Sequence, residues 1–482
     1  MNREKTYFKF TFIVFVFLLL ASCMVSRKYE RPDLNIPEQY RDVKGIADSE
    51  DTLARHPRNS FKSLLALLDR PFFFKNTSLL ALLDSSFQKN SDLLIAIQNI
   101  ALAETTLNTV KLNYLPELNS QISGNYTKVS KNSQAGHSGE HRESKDLNLS
   151  SILSWDLDIW GKIKNEKKEA LANYLKTDEV RKAVQTKLVA DIAKGYYNLL
   201  MLDEQLNIAN KSRELSDSTL RIMKIQYQVG DVNVLGIKQV EAQLERNNML
   251  VSQIEQSISL QETALSVLCG NYAGPVSRKL EDTGEFDSTP SEGYPASLLS
   301  SRPDIKAAEL SLQAANARVG IQQAAIYPNI NISLSGGFNS LTSSNWFSVP
   351  ASLFGTAAGG LTQPIFNRRK LKTQYEEALI EREKEVITFR QAVLEGYAQV
   401  SDALKNKEEI EKQFIFALNK EKVLKDNISS IKVLFATGAA NYLDIITVQS
   451  AYLEARLQTA RLSMEKVQAN VELFCALGGG WQ

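Results

Sequence analysis

The sequence predicts an α+β membrane protein: a trimeric twelve-stranded β-barrel, with four strands from each chain, that is continued by a long α-helical barrel. Three observations predict this fold class. They are two proline-free stretches with helical periodicity, four short segments of alternating polarity, and a nearly constant offset between the two halves of the 482-residue chain. The offset indicates internal duplication, so one repeated architecture replaces the roughly three domains that this length suggests.

Very long helices are predicted in the two proline-free stretches, Gly161 to Gly230 and Asn367 to Gly438. Apolar residues recur there at helical spacing, as at Leu188, Ile192 and Tyr196. At 1.5 Å per residue, each stretch would form about 100 Å of helix. Neither suits the core of a compact domain, where helices average about 12 residues.

Four strands are predicted where the sequence period changes to two: residues 117–126, 147–157, 329–338 and the glycine-rich segment 353–361. In the first three, apolar residues alternate with Asn, Ser, Gln or Asp, which is the pattern of a strand with one face in water. Each half of the chain therefore carries one hairpin.

The duplication is visible in matching turn residues: Gly230 and Gly438 are 208 positions apart, and Pro116 and Pro328 are 212 apart. Each unit would contain a helix, a hairpin, a very long helix, a glycine turn and a returning helix. The predicted limits are residues 76–274 for the first repeat, 275–302 for a linker and 303–482 for the second repeat.

The N-terminus has the features of an export signal. An apolar run from Phe10 to Ala21 follows three basic residues and is too short to span a bilayer. It ends in Leu-Ala-Ser-Cys, the order of a bacterial lipoprotein signal, so residues 1–22 would be a signal peptide and Cys23 would carry a covalent lipid. The alternative is an ordinary signal peptide with a chance cysteine. Residues 23–75 would form a lipid-anchored extended segment.

Four strands with an apolar face cannot close a barrel in lipid, where open sheet edges are not tolerated. Two copies would supply eight strands around an interior filled by side chains, and three would supply twelve around a water-filled lumen. We favour three copies, with the Asn, Ser, Gln and Asp positions lining the lumen and Leu, Ile, Tyr, Phe and Trp155 facing lipid. The inferred object is a conduit formed by a homotrimer.

Composition excludes several other classes. The 56 basic residues against 55 acidic ones leave a formal net charge of +1, which argues against a nucleic-acid partner. A mean hydropathy of -0.23 excludes a bundle of membrane helices, which would each need about 20 apolar residues. Besides Cys23, the other two cysteines, Cys269 and Cys475, are expected to be buried free thiols rather than a bridge.

Few residues are available for a metal or catalytic site. His137, Glu140 and His141 could hold a metal, but the glycines around them favour an extracellular hairpin loop, so no metal site is predicted. The sequence contains no nucleophile elbow and no phosphate-binding loop. We therefore expect no enzymatic activity and no cofactor.

Several motifs in order resemble one family. The segment Tyr29-Glu30-Arg31-Pro32, the run Trp155 to Lys162, Arg302-Pro303-Asp304-Ile305, Gln363-Pro364-Ile365-Phe366 and the ending Leu477 to Trp481 are similar to the outer membrane factors, the TolC-type channel-tunnels, in their lipoprotein subgroup. The resemblance implies a homotrimer in the outer membrane with a large periplasmic tunnel and no catalysis. The implied partners are a periplasmic membrane fusion (adaptor) protein and an inner-membrane transporter, expected to be of the RND type, in a tripartite efflux pump.

Other functions compete with this prediction. An outer membrane duct for type I protein secretion is the alternative within transport. An envelope scaffold of coiled coils would need neither alternating strands nor a polar lumen. The lipobox and the Leu-Gly-Gly-Gly-Trp ending favour efflux.

The resemblance also suggests functional residues. Tyr227, Gly230, Phe435 and Gly438 would lie at the tunnel tips that contact the adaptor, although glycine also suits a simple helix end. Asp444 lies where the family commonly places an aperture acid, and the competing interpretation is an acid that caps a helix N-terminus. The chain departs from the family at three positions, which predicts a weaker polar latch: Gly236, Ala440 and Thr447.

Overall fold

The computed structural model describes residues 29–34, 37, 76–130, 132–133, 143–230, 232–278 and 296–479. The predicted signal peptide 1–22, the lipidation site Cys23 and most of the segment 23–75 lie outside the described residues. His137, Glu140 and His141 lie outside them as well, so the structure does not test the loop prediction.

Helices form most of the described chain. In chain order they are α1 (Thr77–Lys89), α2 (Ser91–Leu112), α3 (Lys162–Gln228), α4 (Val234–Leu268), α5 (Pro303–Ala324), α6 (Lys370–Ala436) and α7 (Tyr442–Ala476). Short 3-10 helices occupy Ala296–Ser301 and Ser343–Asn345. The two predicted long helices are α3 and α6, of 67 residues each.

The duplication appears in the helix lengths. Helices α4 and α7 both have 35 residues, and α2 and α5 both have 22. Helices α3 and α6 begin 208 positions apart, which is the offset of the glycine turns. The limits 76–274, 275–302 and 303–482 stay a prediction.

Packing divides the chain into two units, and each takes part of both sequence repeats. The first contains Ile100–Thr177 and Ala308–Phe389, and so holds all four strands. The second contains Asp178–Ala307 and Arg390–Gln482, together with the first helix.

The four strands form one antiparallel sheet in the order β1 (Glu117–Lys128), β2 (Glu143–Asp156), β3 (Asn329–Ser340), β4 (Leu353–Thr362). All four predicted strands are confirmed. Pairing of β2 with β3 joins the two predicted hairpins into a single sheet, which leaves β1 and β4 as its edges.

The register confirms that one face of the sheet is apolar. Leu118 pairs with Leu153, which pairs in turn with Leu334, and Leu149 pairs with Phe338, so apolar residues form rows across the strands. The opposite face carries polar rows. There Nδ2 of Asn339 donates to Asp146 at 2.6 Å, and Nδ2 of Asn331 donates to Asp156 at 2.8 Å.

The run from Trp155 to Lys162 makes the turn from β2 into α3. The two carboxylate oxygens of Asp158 accept hydrogen bonds from the backbone N–H groups of Ile163 and Lys164, both at 2.9 Å, and so cap the helix. Gly161 has a φ of +76° at the turn. This explains why the motif combines an acid and a glycine just before the helix.

The core of the second unit surrounds the middle of α3. Tyr196, Ile192 and Leu199 are fully buried against Leu79 of α1 and Leu265 of α4. The hydroxyl group of Tyr196 accepts a hydrogen bond from Nδ2 of Asn76 at 3.2 Å. The helical periodicity seen in the sequence therefore marks the buried face of α3.

Arg302 joins three helices in the second unit. Its guanidinium group is 5% exposed and forms a two-point contact with Asp304, at 2.7 and 3.1 Å. The same group donates to Oε1 of Gln399 and to the backbone carbonyl of Ala476, both at 2.6 Å. Gly478, with φ +104°, lies against the side chain and backbone of Arg302. Two motifs that are far apart in the sequence, Arg302-Pro303-Asp304-Ile305 and the C-terminal glycines, therefore form one joint.

The charge of Arg302 also acts on Asp304. Burial opposes ionisation of this carboxyl group, but the hydrogen bonds and positive charge of Arg302 outweigh burial and hold its pKa below the usual range. This contact therefore stabilises the fold at neutral pH and is lost as the pH falls through that lowered pKa.

Cys269 and Cys475 are both free thiols. Cys269 is buried, whereas Cys475 is only partly shielded from solvent. Burial raises the pKa of both thiols, that of Cys475 to about 12. Neither is a reactive nucleophile at neutral pH, because the thiolate is the reactive form.

By length and composition, α2 is the single helix among the described residues that could cross a membrane. One such helix is weak evidence for a membrane span, because core helices pass the same test. Helix α2 nevertheless leaves large apolar side chains exposed, including Ile95 and Leu102.

Candidate functional site

The first helix tip connects α3 to α4 through Gly230. The backbone N–H of Gly230 donates to the carbonyl of Tyr227 at 3.1 Å, and Gly230 has a φ of +89°. Oδ1 of Asn233 then caps α4 by accepting from the N–H of Gly236 at 3.0 Å. Tyr227 itself is exposed.

The second tip connects α6 to α7 through Gly438. Its N–H donates to the carbonyl of Phe435 at 3.1 Å, and its φ is +74°. Both tip glycines therefore adopt the left-handed backbone conformation that ends a helix, for which glycine is the favoured residue. A Cβ atom at either position would meet nothing within 4 Å. The chain itself thus leaves the space next to both turns open.

The hairpin α3–α4 and the hairpin α6–α7 pack together near their tips. Leu220, Met223 and Val240 of the first hairpin are buried, and Phe435 and Tyr442 of the second pack against them. We call these five residues the tip cluster. Of the four predicted tip residues, Phe435 is thus partly engaged inside the chain.

Gly236 explains how Tyr442 fits into the tip cluster. A Cβ atom at Gly236 would lie 3.0 Å from Cε1 of Tyr442 and 3.1 Å from Cε of Met223. Those distances are tighter than ordinary van der Waals contact, so the absent side chain leaves room for the tyrosine ring. Gly236 is also the repeat equivalent of Asp444, 208 positions earlier. The second repeat therefore has a carboxylate at this position, whereas the first has a glycine that leaves space for the ring of Tyr442. We call this space the notch.

Asp444 lies in the first turn of α7 and forms a reciprocal cap with Asn441. Its Oδ2 accepts from the backbone N–H of Asn441 at 2.9 Å, and Oδ1 of Asn441 accepts from the N–H of Asp444 at 3.1 Å. The residue is exposed. The capping interpretation therefore describes a real contact, and the exposed carboxylate remains available for a second role.

Neither of the other two departures from the family forms a polar contact between the hairpins through its side chain. The hydroxyl group of Thr447 donates to the carbonyl of Leu443 in its own helix at 2.8 Å. Ala440 offers only its backbone N–H, which donates to the carbonyl of Leu434 at 3.2 Å. The contact between the hairpins at the tips is thus largely apolar, as the tip cluster shows.

The segment that carries Tyr29 and Arg31 binds to α5. Nη2 of Arg31 lies 3.2 Å from Oε2 of Glu309, and the hydroxyl group of Tyr29 donates to Oε1 of Glu309 at 3.4 Å. Arg31 also lies over the ring of Phe389 in α6, 5.7 Å from its centroid. Burial and then the charge of Glu309 raise the pKa of Tyr29 to about 12. The motif after the predicted lipidation site is therefore a docking point for the N-terminal segment.

The described residues offer no cluster of three or more His, Cys, Asp or Glu side chains that could hold a metal ion. A cavity of about 710 Å³ lies beside Arg302, but residues of both charges line it, including Lys187, Lys194, Asp402 and Glu472. Nζ of Lys194 is already paired with Oε1 of Glu472 at 2.7 Å. Because the cavity is lined by both positive and negative side chains, it has no strong charge of one sign that would favour an ionic ligand.

The model of the family described as outer membrane efflux protein matches residues 82–271 and 294–479. The chain belongs to that family. The first matched segment lies within the predicted first repeat, the second begins inside the predicted linker, and together they span most of the residues that the structure describes.

Individual relatives agree with this assignment. The cation efflux system protein CusC of Escherichia coli O157:H7 is 26% identical to this chain over 97% of its length and 98% of the relative. The probable outer membrane lipoprotein SilC of Salmonella typhimurium is 24% identical, over 97% of each chain. The crystal structure of the Campylobacter jejuni CmeC outer membrane channel matches with a TM-score of 0.82 at 19% identity, over 95% of this chain and 96% of that one.

Several sequence predictions are confirmed by these findings. The family, the α+β fold with four strands per chain, the outer membrane location and a role in transport rather than catalysis all agree. The roles assigned to Tyr227, Gly230, Phe435, Gly438, Asp444 and Cys23 stay predictions.

Sequence reasoning missed three contacts of the candidate site: the Tyr442 ring over Gly236, the joint at Arg302 and the docking of Arg31 on Glu309. A signal existed for two of them, since Arg302 and Arg31 belong to motifs that the sequence displayed. The sequence shows Gly236 only as a position without an acid. Its packing with Tyr442 has no sequence signal, because the two residues lie about 200 positions apart in the chain.

The notch at Gly236 yields a testable prediction. We expect Gly236→Ala to lower the midpoint of thermal unfolding, by an amount equivalent to about 1 to 3 kcal/mol, because the added methyl group overpacks the tip cluster. Tyr442→Leu should relieve much of that loss when both changes are combined, so calorimetry of the two single variants and the double variant should show coupling.

Gly274→Ala is the matched control, since a Cβ atom there would meet only a backbone oxygen at 3.8 Å. If Gly236→Ala and Gly274→Ala lower the midpoint of thermal unfolding equally, and the effects of Gly236→Ala and Tyr442→Leu simply add, then Tyr442 does not depend on the space at Gly236.

Proposed function

We propose that three copies of this chain form a passive channel-tunnel in the outer membrane, which conducts substrates from an inner-membrane transporter and a periplasmic adaptor to the exterior. The observation that carries this proposal is the sheet: four strands, one apolar face, one polar face and two unpaired edges. A barrel shared among copies is the arrangement that would pair both edges and separate the two faces between lipid and water.

The polar face supports three copies over two. An eight-stranded barrel is narrow enough for side chains to fill its interior, so its inward residues would be packed together. On β1, β2 and β3 most positions of the polar face are Asn, Ser, Gln or Asp, and several of them hydrogen bond along the sheet, as Asn339 does with Asp146. Such residues suit the wall of an aqueous lumen.

Helix α2 gives independent support for assembly. Its exposed Ile95 and Leu102 leave apolar surface that a neighbouring copy would cover. Helix α2 leads directly into the edge strand β1, so the same neighbour that pairs with the strand would lie beside the helix.

Assembly and conduction are tested together on purified protein. Native mass spectrometry of the detergent extract should show a trimer, because a separate chain exposes two sheet edges to lipid. The same preparation should produce discrete conductance steps in a planar bilayer. A stable folded monomer that conducts no ions would overturn the proposal and would favour a scaffold.

We also propose that Cys23 is the lipidated N-terminus of the mature chain. The order Leu-Ala-Ser-Cys supports it, and one relative is named a probable outer membrane lipoprotein. The intact mass of the mature wild-type protein should exceed that of the polypeptide from residue 23 by the mass of the acyl chains, and Cys23→Ala should lose the increment. An unmodified Cys23 would contradict the assignment.

For partners, we propose an adaptor that contacts the tips at Tyr227, Gly230, Phe435 and Gly438, and a transporter of the RND type behind it. The open space next to both glycines supports close approach of another helix hairpin. The names of the relatives, which are efflux proteins for cations or solvents, favour efflux over type I secretion.

Gly438→Val should reduce efflux while trimer and membrane insertion persist, because the side chain both strains the turn and fills the approach space. Gly438→Asn is the matched variant, since asparagine tolerates the left-handed conformation better but still adds a side chain. We expect both to lower adaptor crosslinking in cells and to raise susceptibility to dyes and metal salts. If the Gly438→Asn strain crosslinks to the adaptor as well as wild type does, Gly438 serves only to form the turn.

We further propose that three copies of Asp444 converge on the axis of the closed tunnel. The support is its exposed position six residues after Gly438. Asp444→Asn should weaken cation selectivity and block by multivalent cations in single-channel recordings, because a ring of carboxylates attracts cations. The isosteric amide can still accept the capping bond from Asn441.

Asn441→Ala supplies the control for that experiment. It breaks the reciprocal cap at a cost of about 1 kcal/mol but leaves the carboxylate in place. If selectivity changes equally in the two variants, or in neither, Asp444 acts only as a cap.

A further inference from the structure

All helical connections of the sheet lie at one of its ends. The register pairs Glu117 with Ser154 and Asn329 with Thr362, so the starts of β1 and β3 lie beside the ends of β2 and β4. Helices α2 and α5 enter the sheet there, and α3 and α6 leave it there. We call this end the helix end of the sheet.

Aromatic residues with polar tips gather at the helix end. Nε1 of Trp155 donates to the backbone carbonyl of Tyr114 at 3.0 Å. Nε1 of Trp160 donates to the carbonyl of Pro328 at 2.7 Å, and its ring stacks on Tyr327 with centroids 4.9 Å apart. Trp and Tyr concentrate at the boundary between hydrocarbon and water. These residues therefore mark the level at which the apolar face of the sheet leaves the membrane.

Basic residues follow immediately beyond that level. We call them the basic collar: Lys162 and Lys164 after β2, and Arg368, Arg369, Lys370 and Lys372 after β4. Within residues 368–372 only Leu371 is uncharged, and no acidic residue is present. The side chains of Arg369 and Lys372 are 65% and 67% exposed.

Contacts within the chain neutralise the collar only partly. Arg369 and Lys372 share one acceptor, Glu376, at 3.1 and 4.0 Å, and Lys162 lies 4.0 Å from Glu166. In the part of the chain that the structure describes, Arg368 and Lys370 form no ion pair within 4 Å. The four bases within residues 368–372 therefore retain a positive charge that faces solvent.

Helix stability does not explain the collar. Positive charges in the first turn of a helix oppose its dipole, and acidic residues are the stabilising choice there. Neither α3 nor α6 has an acid in its first turn, although Asp158 caps α3 from the preceding residues. The position of the bases just outside an aromatic belt is instead the arrangement that meets lipid headgroups.

We infer that the basic collar binds the phosphate groups of anionic phospholipids in the periplasmic leaflet of the outer membrane. The inference uses the outer membrane location and the direction of the sheet, and it does not depend on the channel conducting. Basic side chains next to a membrane attract anionic lipids over a short distance that salt reduces. The collar would thereby set the depth at which the sheet sits in the bilayer.

The test compares two triple variants of the full-length protein. Arg368→Gln, Lys370→Gln and Lys372→Gln remove three charges from the collar. Lys422→Gln, Lys425→Gln and Lys432→Gln remove three exposed charges from the same helix, about 50 residues further from the sheet. Each protein is reconstituted in vesicles of phosphatidylethanolamine with or without phosphatidylglycerol. Phosphatidylglycerol retained per chain is then counted by native mass spectrometry at low and moderate salt.

We expect wild type and the control to retain phosphatidylglycerol at low salt and to lose it as salt rises. The collar variant should bind it about fivefold more weakly for each charge removed. Equal retention by the collar and control variants would overturn the inference. Loss of assembly by the collar variant in phosphatidylethanolamine alone would also overturn it, because the bases would then pair with a neighbouring copy. Retention is counted per chain, so failure of the proposed trimer would be recognised separately.

Discussion

The need to pair every backbone group in lipid governs this structure. A sheet of four strands has two unpaired edges, and no rearrangement of four strands can close a barrel around a lumen. The apolar rows through Leu118, Leu153 and Leu334 commit one face to lipid, so the open edges cannot be left to water. The proposed sharing of the barrel among copies follows from this constraint.

A second physical theme is how three long segments of the second unit are held together at one buried residue. Arg302 links α5, α6 and α7 by donating to Asp304, to Gln399 and to the backbone carbonyl of Ala476. A buried guanidinium group is costly unless its donors are satisfied, so the contact commits all of its partners to one geometry. Glycine suits position 478 because its φ is +104° and because a Cβ atom there would lie 3.3 Å from Cα of Arg302, which is tighter than ordinary contact.

The two tips show how a duplicated sequence produces unequal halves. Asp444 completes a reciprocal cap in the second repeat, whereas its equivalent Gly236 receives the ring of Tyr442. The same position in the repeat thus holds a charged capping residue in the second repeat and a packing contact in the first. The sequence predicts a weaker polar latch. The structure shows an apolar contact between the hairpins, in which Phe435 and Met223 also take part.

The long helices, the strands and the family could be predicted from the sequence alone. Proline-free periodicity located α3 and α6, alternation located all four strands, and ordered motifs identified an outer membrane efflux protein, because these signals are local and repeat along the chain. The contacts between distant residues, by contrast, are visible only in the folded chain. The pairing of β2 with β3, the joint between Arg302 and Gly478, the docking of Arg31 on Glu309 and the seat of Tyr442 at Gly236 each join residues that are far apart in the chain. No periodicity records such contacts, since packing and charge pairing depend on distance in space rather than on spacing in sequence.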